Sequence, residues 1–303
     1  FVEIRNHRKM LKIQDLRKVY KKTVALQGVS FSVESKSAIG LIGDNGAGKT
    51  TLIKCISGLV APTSGSVYFN DVNLIKNPKY IHNTVGALLE GARNLYNFLT
   101  VDYNLNYFGY LNQLSSKEIS DRKAYLLKLF DAEKYKDQPV NELSRGTQQK
   151  IALMVTLMKN PQLLILDEPT LGLDLIATMR MTDLLRQIIC EEQKTVILIS
   201  HDMTLVSSLC DRVVYLKNGK VDFDEQINSI VNENIYEVKI KADHSMEDEI
   251  ENFDFPFRME DGIYVLEVND MDRMMKNRIL KENIISIEKQ VNDLAHFIRM
   301  RGL

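Results

Sequence analysis

The sequence predicts an α/β fold in which a parallel sheet is joined to an antiparallel β-subdomain and a helical insertion, with a small α+β domain at the C-terminus. Three observations predict it. An apolar strand at 37–42 leads through a glycine-rich loop into a helix. Two further apolar strands, at 162–166 and 195–199, end in charged residues, and from about 100 to 160 the apolar residues take helical spacing.

The domain boundaries follow changes in this pattern. We expect an N-terminal extension at 1–9, a main domain at 10–225 and a C-terminal α+β domain at 233–303. The composition is that of an ordinary globular protein, with 45% hydrophobic residues, 26% charged residues and a net charge of −1 over 303 residues. This balance does not indicate nucleic acid or a lipid surface as a partner.

The cysteines and the apolar runs bear on the compartment. Cys55, Cys190 and Cys210 have neither paired nor metal-like spacing, so we interpret them as structural thiols of a protein in a reducing compartment. No run approaches the roughly 18 apolar residues of a membrane-spanning helix, and no charged start followed by an apolar core resembles a signal peptide. We therefore expect a chain that neither crosses a membrane nor is exported.

The glycine-rich loop at 43–51 fits the pattern G-x-x-x-x-G-K-[ST], with the strand before it and the helix after it that this motif requires. Its glycines let backbone N–H groups converge on one anion at a helix N-terminus. Lys49 adds a charge for the β and γ phosphates of a nucleotide, Thr50 offers a hydroxyl to Mg²⁺, and Thr51 helps to hold the phosphates. We expect a P-loop NTPase cassette whose nucleotide contacts are Gly43, Asp44, Asn45, Gly46, Ala47, Gly48, Lys49, Thr50 and Thr51.

The β-subdomain is predicted from strands that flank this loop in sequence. Residues 10–16 and 28–34 alternate apolar with polar side chains, as half-buried antiparallel strands do, and a further strand at 66–69 follows a turn. Tyr20 lies between the first two strands. It is either a platform on which a purine ring stacks or an ordinary packing residue of the hairpin.

The helical insertion ends in a polar stretch at 141–150 that precedes an apolar helix at 151–158. Ser144 has the chemistry of an N-cap, and Gly146 lies in the first turn. The positive end of this helix is able to face an anion, although most capped helices bind nothing.

Charged residues follow both apolar strands of the second half. Asp167 and Glu168 follow the strand at 162–166, and His201 follows the strand at 195–199. Ligands of open α/β sheets bind outside the carboxyl ends of the strands, beside which these side chains are expected. Packing alone does not explain charged residues at the ends of two buried strands beside a phosphate-binding loop.

These motifs together resemble the nucleotide-binding subunit of ATP-binding cassette (ABC) transporters, over roughly 11–221. The elements occur in the order of that family: the Walker A loop at 43–50, the signature at 143–148, the Walker B strand ending at Asp167 and Glu168, the Leu-Gly-Leu-Asp loop at 171–174 and the switch histidine His201. Five motifs in this order are far more specific than one. The aromatic stacking residue of the family falls on Tyr20.

The resemblance implies ATP hydrolysis with Mg²⁺ as cofactor. Asp167 would hold the Mg²⁺ site, Glu168 would orient or deprotonate the attacking water, and His201 would contact the γ-phosphate. Asp174 would link the two active sites of a dimer. The chemistry expected of such enzymes is positioning and charge stabilisation of phosphoryl transfer to water.

The signature loop of one subunit in this family closes over the nucleotide of the other, so Ser144 and Gly146 would serve the partner's ATP. The usual Leu-Ser-Gly-Gly-Gln appears here as Leu-Ser-Arg-Gly-Thr, with Arg145 and Thr147 at the variable points. This variant of the signature resembles signatures of ABC exporters. Arg145 either adds a charge near the γ-phosphate or lies in solvent.

A second departure from the family pattern concerns the loop that normally supplies a glutamine to Mg²⁺ and to the attacking water. It corresponds to 87–96, where Glu90 is the best positional match. A carboxylate is a suitable Mg²⁺ ligand, although its charge alters the site. Glu90 is therefore predicted at the metal site together with Thr50 and Asp167.

Beyond residue 221 the family pattern fades. The strand patterns at 235–240, 254–258, 263–268 and 284–287 and the helical patterns at 245–251, 271–281 and 292–301 give the order β-α-β-β-α-β of a ferredoxin-like unit. Its possible roles are a regulatory ligand site, a dimerisation surface, or a cover for the preceding sheet.

The resemblance implies a cytosolic ATPase subunit, peripheral at the cytoplasmic face of the membrane. It would pair with a second cassette, as a homo- or heterodimer, and drive a separate integral membrane permease, with export as the direction. We expect contacts with the permease from 90–103 and no nucleic acid partner. The alternatives are a soluble ABC ATPase that acts on ribosomes or DNA, and a non-hydrolysing regulator that uses ATP to switch dimerisation.

Overall fold

The computed structural model describes residues 9–89, 95–231, 235–241, 257–260, 262–268, 271–276, 280–281, 283–290 and 294–301. The chain divides into two compact units, 1–224 and 225–303. Each unit has a sheet and a hydrophobic core of its own.

Over its described residues, the first unit begins with a β-hairpin and combines ten strands with seven α-helices. The strands are β1 (Lys9–Tyr20), β2 (Thr23–Glu34), β3 (Ala38–Gly43), β4 (Ser64–Phe69), β5 (Val72–Asn73), β6 (Val85–Leu88), β7 (Leu163–Asp167), β8 (Thr195–Ile199), β9 (Arg212–Lys217) and β10 (Lys220–Gln226). The helices are α1 (Lys49–Ile56), α2 (Pro78–Thr84), α3 (Val101–Leu111), α4 (Ser116–Leu129), α5 (Arg145–Leu157), α6 (Leu175–Cys190) and α7 (Met203–Leu209), with short 3-10 helices at Glu133–Tyr135 and Val140–Glu142.

The antiparallel sheet has the strand order β2-β1-β4-β5. Leu11 of β1 lies opposite Val33 of β2 and Phe69 of β4, and all three side chains are fully buried. The alternating pattern therefore puts the apolar side chains of three strands on one face. Strand β1 is longer than the pattern at 10–16 predicts, and its last residue, Tyr20, pairs with Thr23.

The second sheet has the order β10-β9-β3-β8-β7-β6, and β3, β6, β7, β8 and β9 pair in parallel. Every residue of β7 and β8 is buried, in agreement with their apolar sequences. Asp167 lies opposite Ile199 in the register of these two strands. The residues that follow β7 and β8 therefore emerge side by side at one edge of the sheet.

Helix α1 lies in the core that the two sheets share. Its buried residues are Leu52, Ile53, Cys55 and Ile56, which pack in one cluster with residues of both sheets such as Ile13 and Ile165. Burying such a side chain contributes roughly 1.5–3 kcal/mol. This packing fixes the N-terminus of α1, and with it the loop that precedes the helix.

Between β6 and β7 the described chain is helical, as its apolar spacing predicts. Ser144 is the N-cap of α5, and its hydroxyl oxygen accepts a hydrogen bond from the backbone N–H of Thr147 at 3.3 Å. All seven residues from Ile151 to Leu157 are buried. The first turn of α5 thus stays at the surface while its second half is anchored in the core.

The second unit consists of α8 (Ile227–Val231), β11 (Ile235–Lys241), β12 (Phe257–Glu260), β13 (Ile263–Val268), α9 (Met271–Lys276), β14 (Ile284–Gln290) and α10 (Leu294–Met300). The sheet order is β12-β13-β11-β14, and all neighbours are antiparallel. This is the strand order of a ferredoxin-like sheet. The helix predicted at 245–251 falls outside the described residues.

Across the described ranges, none of the helices combines the length and the apolar character that crossing a bilayer requires.

Candidate functional site

A cleft opens at the carboxyl ends of β3, β7 and β8. It has a volume of about 250 Å³. Its wall is made of three groups of residues: Thr23, Val24 and Ala25 of β2; Asp44, Asn45, Gly46, Ala47, Gly48, Lys49, Thr50 and Thr51 of the glycine-rich loop; and Asp167, Glu168, Ile199 and His201. The parallel register of the sheet brings these segments together from positions far apart in the chain.

The glycine-rich loop begins with a residue that tolerates no side chain. Gly43 has a φ of 144°, and a Cβ atom there would lie 2.1 Å from the carbonyl oxygen of Leu216 in β9. Only glycine fits so close to the neighbouring strand. The loop ends at Gly48, the N-cap of α1, so the first helical turn, whose N–H groups have no partner within the helix, and the positive end of the helix dipole lie at the loop.

Lys49 provides the positive charge of the cleft. Its ammonium donates hydrogen bonds to the backbone oxygens of Gly43, at 2.5 Å, and Asp44, at 2.9 Å. Burial lowers the pKa of Lys49, and the charges of Glu168, Asp167 and Asp44 oppose that shift. The ammonium is thus partly withdrawn from water and close to three carboxylates, where it is suited to bind a phosphate.

Glu168 is the most constrained acid of the cleft. Its backbone has a φ of 50°, unusual for a residue with a side chain, and its N–H bonds the carbonyl of Ile199 at 2.9 Å. The carboxylate accepts the backbone N–H of His201 at 3.0 Å and the hydroxyl of Ser200 at 3.3 Å. Burial raises the pKa of Glu168, while His201 and these hydrogen bonds lower it. This carboxylate is held in one orientation, as a residue that orients water requires.

His201 reaches the same place from β8. Its Nε2 lies 3.7 Å from a carboxylate oxygen of Glu168, yet 61% of its side chain is exposed. Asp202 caps α7 by accepting the N–H groups of Thr204 and Leu205, which fixes the backbone next to the histidine. The imidazole can therefore contact a bound group while its backbone stays fixed.

Asp167 and Thr50 are the oxygen donors expected for Mg²⁺. Asp167 is 4% exposed at the end of β7, and Thr50 lies in the first turn of α1. Both line the cleft. Hydroxyl and carboxylate oxygens suit a hard cation such as Mg²⁺, which usually completes its shell with water and substrate phosphates. Glu90, the third predicted ligand, lies outside the described residues.

Among the described residues, five predicted site residues do not line the cleft: Gly43 at the start of the loop, and Tyr20, Ser144, Gly146 and Asp174. Tyr20 is 42% exposed at the end of β1, with the ammonium of Lys18 4.9 Å from its ring centre. Ser144, Gly146 and Asp174 lie at the starts of α5 and α6. These helices approach each other there, since a Cβ atom on Gly146 would lie 3.3 Å from that of Ala177, whose N–H is capped by Asp174.

Two parts of the site were not predicted from the sequence. The wall formed by Thr23, Val24 and Ala25 belongs to the antiparallel sheet, and only tertiary packing brings it to the loop. Tyr215 of β9 donates a hydrogen bond to Asp44 in the loop at 3.0 Å. No local pattern connects these two residues, which are 171 positions apart.

Comparison with known proteins identifies a family. The model of the ABC transporter family matches residues 26–171. The ABC transporter ATP-binding protein NatA of Bacillus subtilis is 34% identical over 219 residues, which are 72% of this chain and 87% of that protein. An uncharacterized ABC transporter ATP-binding protein of Methanocaldococcus jannaschii, MJ1023, is 34% identical over 226 residues, 75% of this chain and 81% of that protein.

Solved structures give the same result. The ATP-binding cassette MJ0796, in a dimeric post-hydrolysis state with ADP and Pi, matches 72% of this chain and 98% of its own, with a TM-score of 0.65 and 27% identity. CbiO1 of Clostridium perfringens, part of an ABC transporter complex, matches 72% of this chain and 88% of its own, with a TM-score of 0.66 and 29% identity. The predicted cassette fold is thereby confirmed, and the chain belongs to the ABC transporter ATP-binding subunits, a family of nucleotide-binding ATPases.

Proposed function

We propose that this chain is the ATP-hydrolysing subunit of a transporter whose membrane permease is a separate protein, and that it works as a dimer of cassettes closing on two ATP molecules. One observation carries the proposal. The cleft contains the phosphate loop, two carboxylates and a histidine, whereas Ser144, Gly146 and Asp174 lie outside it. The chain thus holds one part of an ATP site together with residues suited to complete another.

Within the cleft, each residue has a role that fits its surroundings. The loop amides and Lys49 hold the phosphates and neutralise charge that develops during transfer. Glu168, fixed by His201 N–H and Ser200, orients the attacking water and accepts its proton. The His201 side chain, being exposed beside Glu168, contacts the γ-phosphate. Asp167 and Thr50, with Glu90 as the third predicted ligand, would hold Mg²⁺, and the ion would supply positive charge against the phosphates.

The outer group serves a second cassette, either another copy of this chain or a related one. Beside Asp174, four large apolar side chains are exposed on the loop before α6 and on its first two turns: Leu171 at 62%, Leu175 at 77%, Ile176 at 63% and Met179 at 61%. Exposed apolar clusters of this kind mark protein interfaces. The cluster supports burial of this region against a second cassette.

An aromatic surface near α3 is proposed as the permease contact. Phe98 is 87% exposed, Tyr103 65% and Tyr110 58%, and Tyr96 and Tyr107 are also exposed. Aromatic residues are enriched in protein interfaces. The surface overlaps the predicted contact region at 90–103, of which 90–94 falls outside the described residues. Through this contact the chain would sit peripherally at the cytoplasmic face of the membrane.

We propose export as the direction of transport. The support is the exporter-like Leu-Ser-Arg-Gly-Thr signature and a 32% identity over 212 residues to the linearmycin resistance ATP-binding protein LnrL of Bacillus subtilis. Import proteins match as well, with 37% identity for methionine import protein MetN 4 and 34% for glucose import protein GlcV.

Affinity purification of the tagged full chain from detergent-solubilised membranes tests the proposal. We expect an integral membrane protein to co-purify in stoichiometric amounts. A matched variant in which Phe98 and Tyr103 are replaced by serine should lose that protein but keep ATP binding, because these residues lie outside the cleft. Recovery of ribosomes or DNA instead of a membrane protein would overturn the proposal, and transport into inside-out vesicles containing the recovered complex would establish the direction.

A further inference from the structure

The phosphate loop contains an acid, which is unfavourable in a site that binds polyphosphate. Asp44 follows Gly43 directly and lines the cleft. Its backbone oxygen accepts a hydrogen bond from the Lys49 ammonium at 2.9 Å. The Asp44 carboxylate is therefore close to Lys49, the only cation of the loop, and its negative charge raises the pKa of Lys49.

The carboxylate does not pair with Lys49. Between these two described residues there is no ion pair, and the ammonium bonds backbone oxygens instead. The Oδ1 atom of Asp44 accepts a hydrogen bond from the hydroxyl of Tyr215 at 3.0 Å. The hydrogen-bond donor to the Asp44 carboxylate thus belongs to β9. This strand lies beside β3, and Tyr215 is paired there with Ile42 of β3.

Tyr215 is itself held rigidly. Its side chain is 3% exposed, and its ring stacks on that of Phe223 in β10, with centres 5.1 Å apart and planes 16° apart. Burial and the neighbouring carboxylate raise the pKa of Tyr215 to about 12, so the hydroxyl stays protonated and donates at physiological pH. A buried, stacked donor of this kind fixes its acceptor at little further entropic cost.

We propose that Tyr215 is a positioning residue of the phosphate loop: its hydroxyl holds the Asp44 carboxylate off the Lys49 ammonium and so leaves Lys49 available to the phosphates. Without the hydroxyl, the Asp44 carboxylate is free to rotate toward Lys49. It then competes with the nucleotide for the same cation. This inference rests on the proposed role of Lys49 in binding ATP.

A double-mutant cycle on the full chain tests it, with ATP and Mg²⁺ binding measured by isothermal titration calorimetry. Tyr215→Phe keeps the stacked ring and removes only the hydroxyl. We expect its dissociation constant for ATP to rise about two- to fivefold, the range of a partly exposed ion pair. Asp44→Asn removes the competing charge, so it should bind ATP more tightly than the unmodified chain. In the Asp44→Asn background, Tyr215→Phe should cause no further loss.

Kinetics add a second measurement. Because the hydroxyl acts on ATP binding, Tyr215→Phe should raise the KM for ATP and leave kcat close to the unmodified value. The matched control is Tyr125→Phe, which removes a hydrogen bond of 2.9 Å to Glu192, and neither of these residues lines the cleft. This control should leave the ATP affinity unchanged.

Two results would overturn the role of Tyr215: unaltered ATP binding in Tyr215→Phe, or an equal loss in both backgrounds, which would indicate packing alone. Lys49→Ala distinguishes this failure from failure of the proposed function. If Lys49→Ala loses ATP while Tyr215→Phe binds normally, only the Tyr215 role is wrong. If Lys49→Ala binds ATP as well as the unmodified chain, the assigned phosphate site is wrong.

Discussion

The cleft and the group formed by Ser144, Gly146 and Asp174 differ in how their polar side chains are satisfied. In the cleft, Glu168 is 9% exposed and accepts two hydrogen bonds from Ser200 and His201, which follow the neighbouring strand β8. Ser144 and Asp174 are exposed, and each accepts the N–H of the residue three positions on in its own helix. The first region is organised by long-range contacts within the chain, whereas the second is organised locally and presents its surface outward. This difference is the one expected if the second region acts on a nucleotide held by another subunit.

The largest effect that this comparison predicts is on catalysis. Glu168→Gln keeps the shape of the side chain but removes its charge and its basicity. ATP turnover should fall by at least about 100-fold, the usual contribution of a general base, while ATP binding is retained. Phosphate release at saturating ATP measures the loss, with Glu191→Gln, at the exposed C-cap residue of α6, as control. Undiminished turnover in Glu168→Gln would mean that the cleft residues only bind ATP, as in a non-hydrolysing regulator.

The backbone of the cleft is the next target. Gly43→Ala puts a Cβ atom 2.1 Å from the Leu216 carbonyl oxygen at a φ of 144°, and we expect it to lower the free energy of unfolding by about 3 kcal/mol or more. Gly46→Ala is the matched control, since Gly46 has a φ of 81° with open space around it, and it should cost about 1 kcal/mol. Urea denaturation of both variants measures the difference. Equal midpoints would contradict the close approach of β3 and β9.

A smaller effect is expected in the outward group. Gly146→Asp adds a negative charge to the first turn of α5, where it should repel the phosphates of a partner's ATP. Turnover should fall about fivefold, the upper end of the range for one exposed charge interaction, while the ATP affinity of the monomer stays nearly constant. Gly146→Asp mixed with Lys49→Ala should recover turnover, because one of the two sites in the mixed dimer then has both an intact loop and an intact signature. If mixing recovers nothing, the two regions do not meet across a dimer.

Much of the cleft could be predicted because its motifs are local and the strands are parallel. A glycine-rich loop between an apolar strand and a helix fixes its own conformation. The register of a parallel sheet then carries Asp167, Glu168 and His201 to the same edge. The strand order of the C-terminal sheet was likewise accessible from the order of its elements, since few topologies accommodate β-α-β-β-α-β.

The rest depends on contacts that leave no local signal. The Tyr215 and Asp44 pair joins strand β9 to the loop, and the φ of 50° at Glu168 occurs together with a backbone hydrogen bond to Ile199 of another strand. For Tyr20, the local sequence pattern does not distinguish between two roles. A tyrosine at the end of an amphipathic strand has the same pattern whether it stacks on a base or packs, and it stays a prediction.

The smallest expected effect concerns the reactivity of the cysteine thiols, of which Cys55 and Cys210 are buried and Cys190 is exposed. Burial raises the pKa of Cys55, on α1 beneath the phosphate loop, to about 11, and it also raises the pKa of Cys210. Only a thiolate reacts with a disulfide reagent, so at pH 8 we expect one fast thiol per folded chain, the exposed Cys190. Since the folded-state pKa of Cys55 lies above its unfolded value, this thiol contributes stability below about pH 9 that is lost as the pH rises toward 11. Titration with a chromogenic disulfide should therefore count one thiol in the native chain and three after denaturation, and Cys190→Ser should remove the native signal. A fast reaction of Cys55 at pH 8 would show that α1 opens readily, and would mean that the phosphate loop is not held by the packing beneath it.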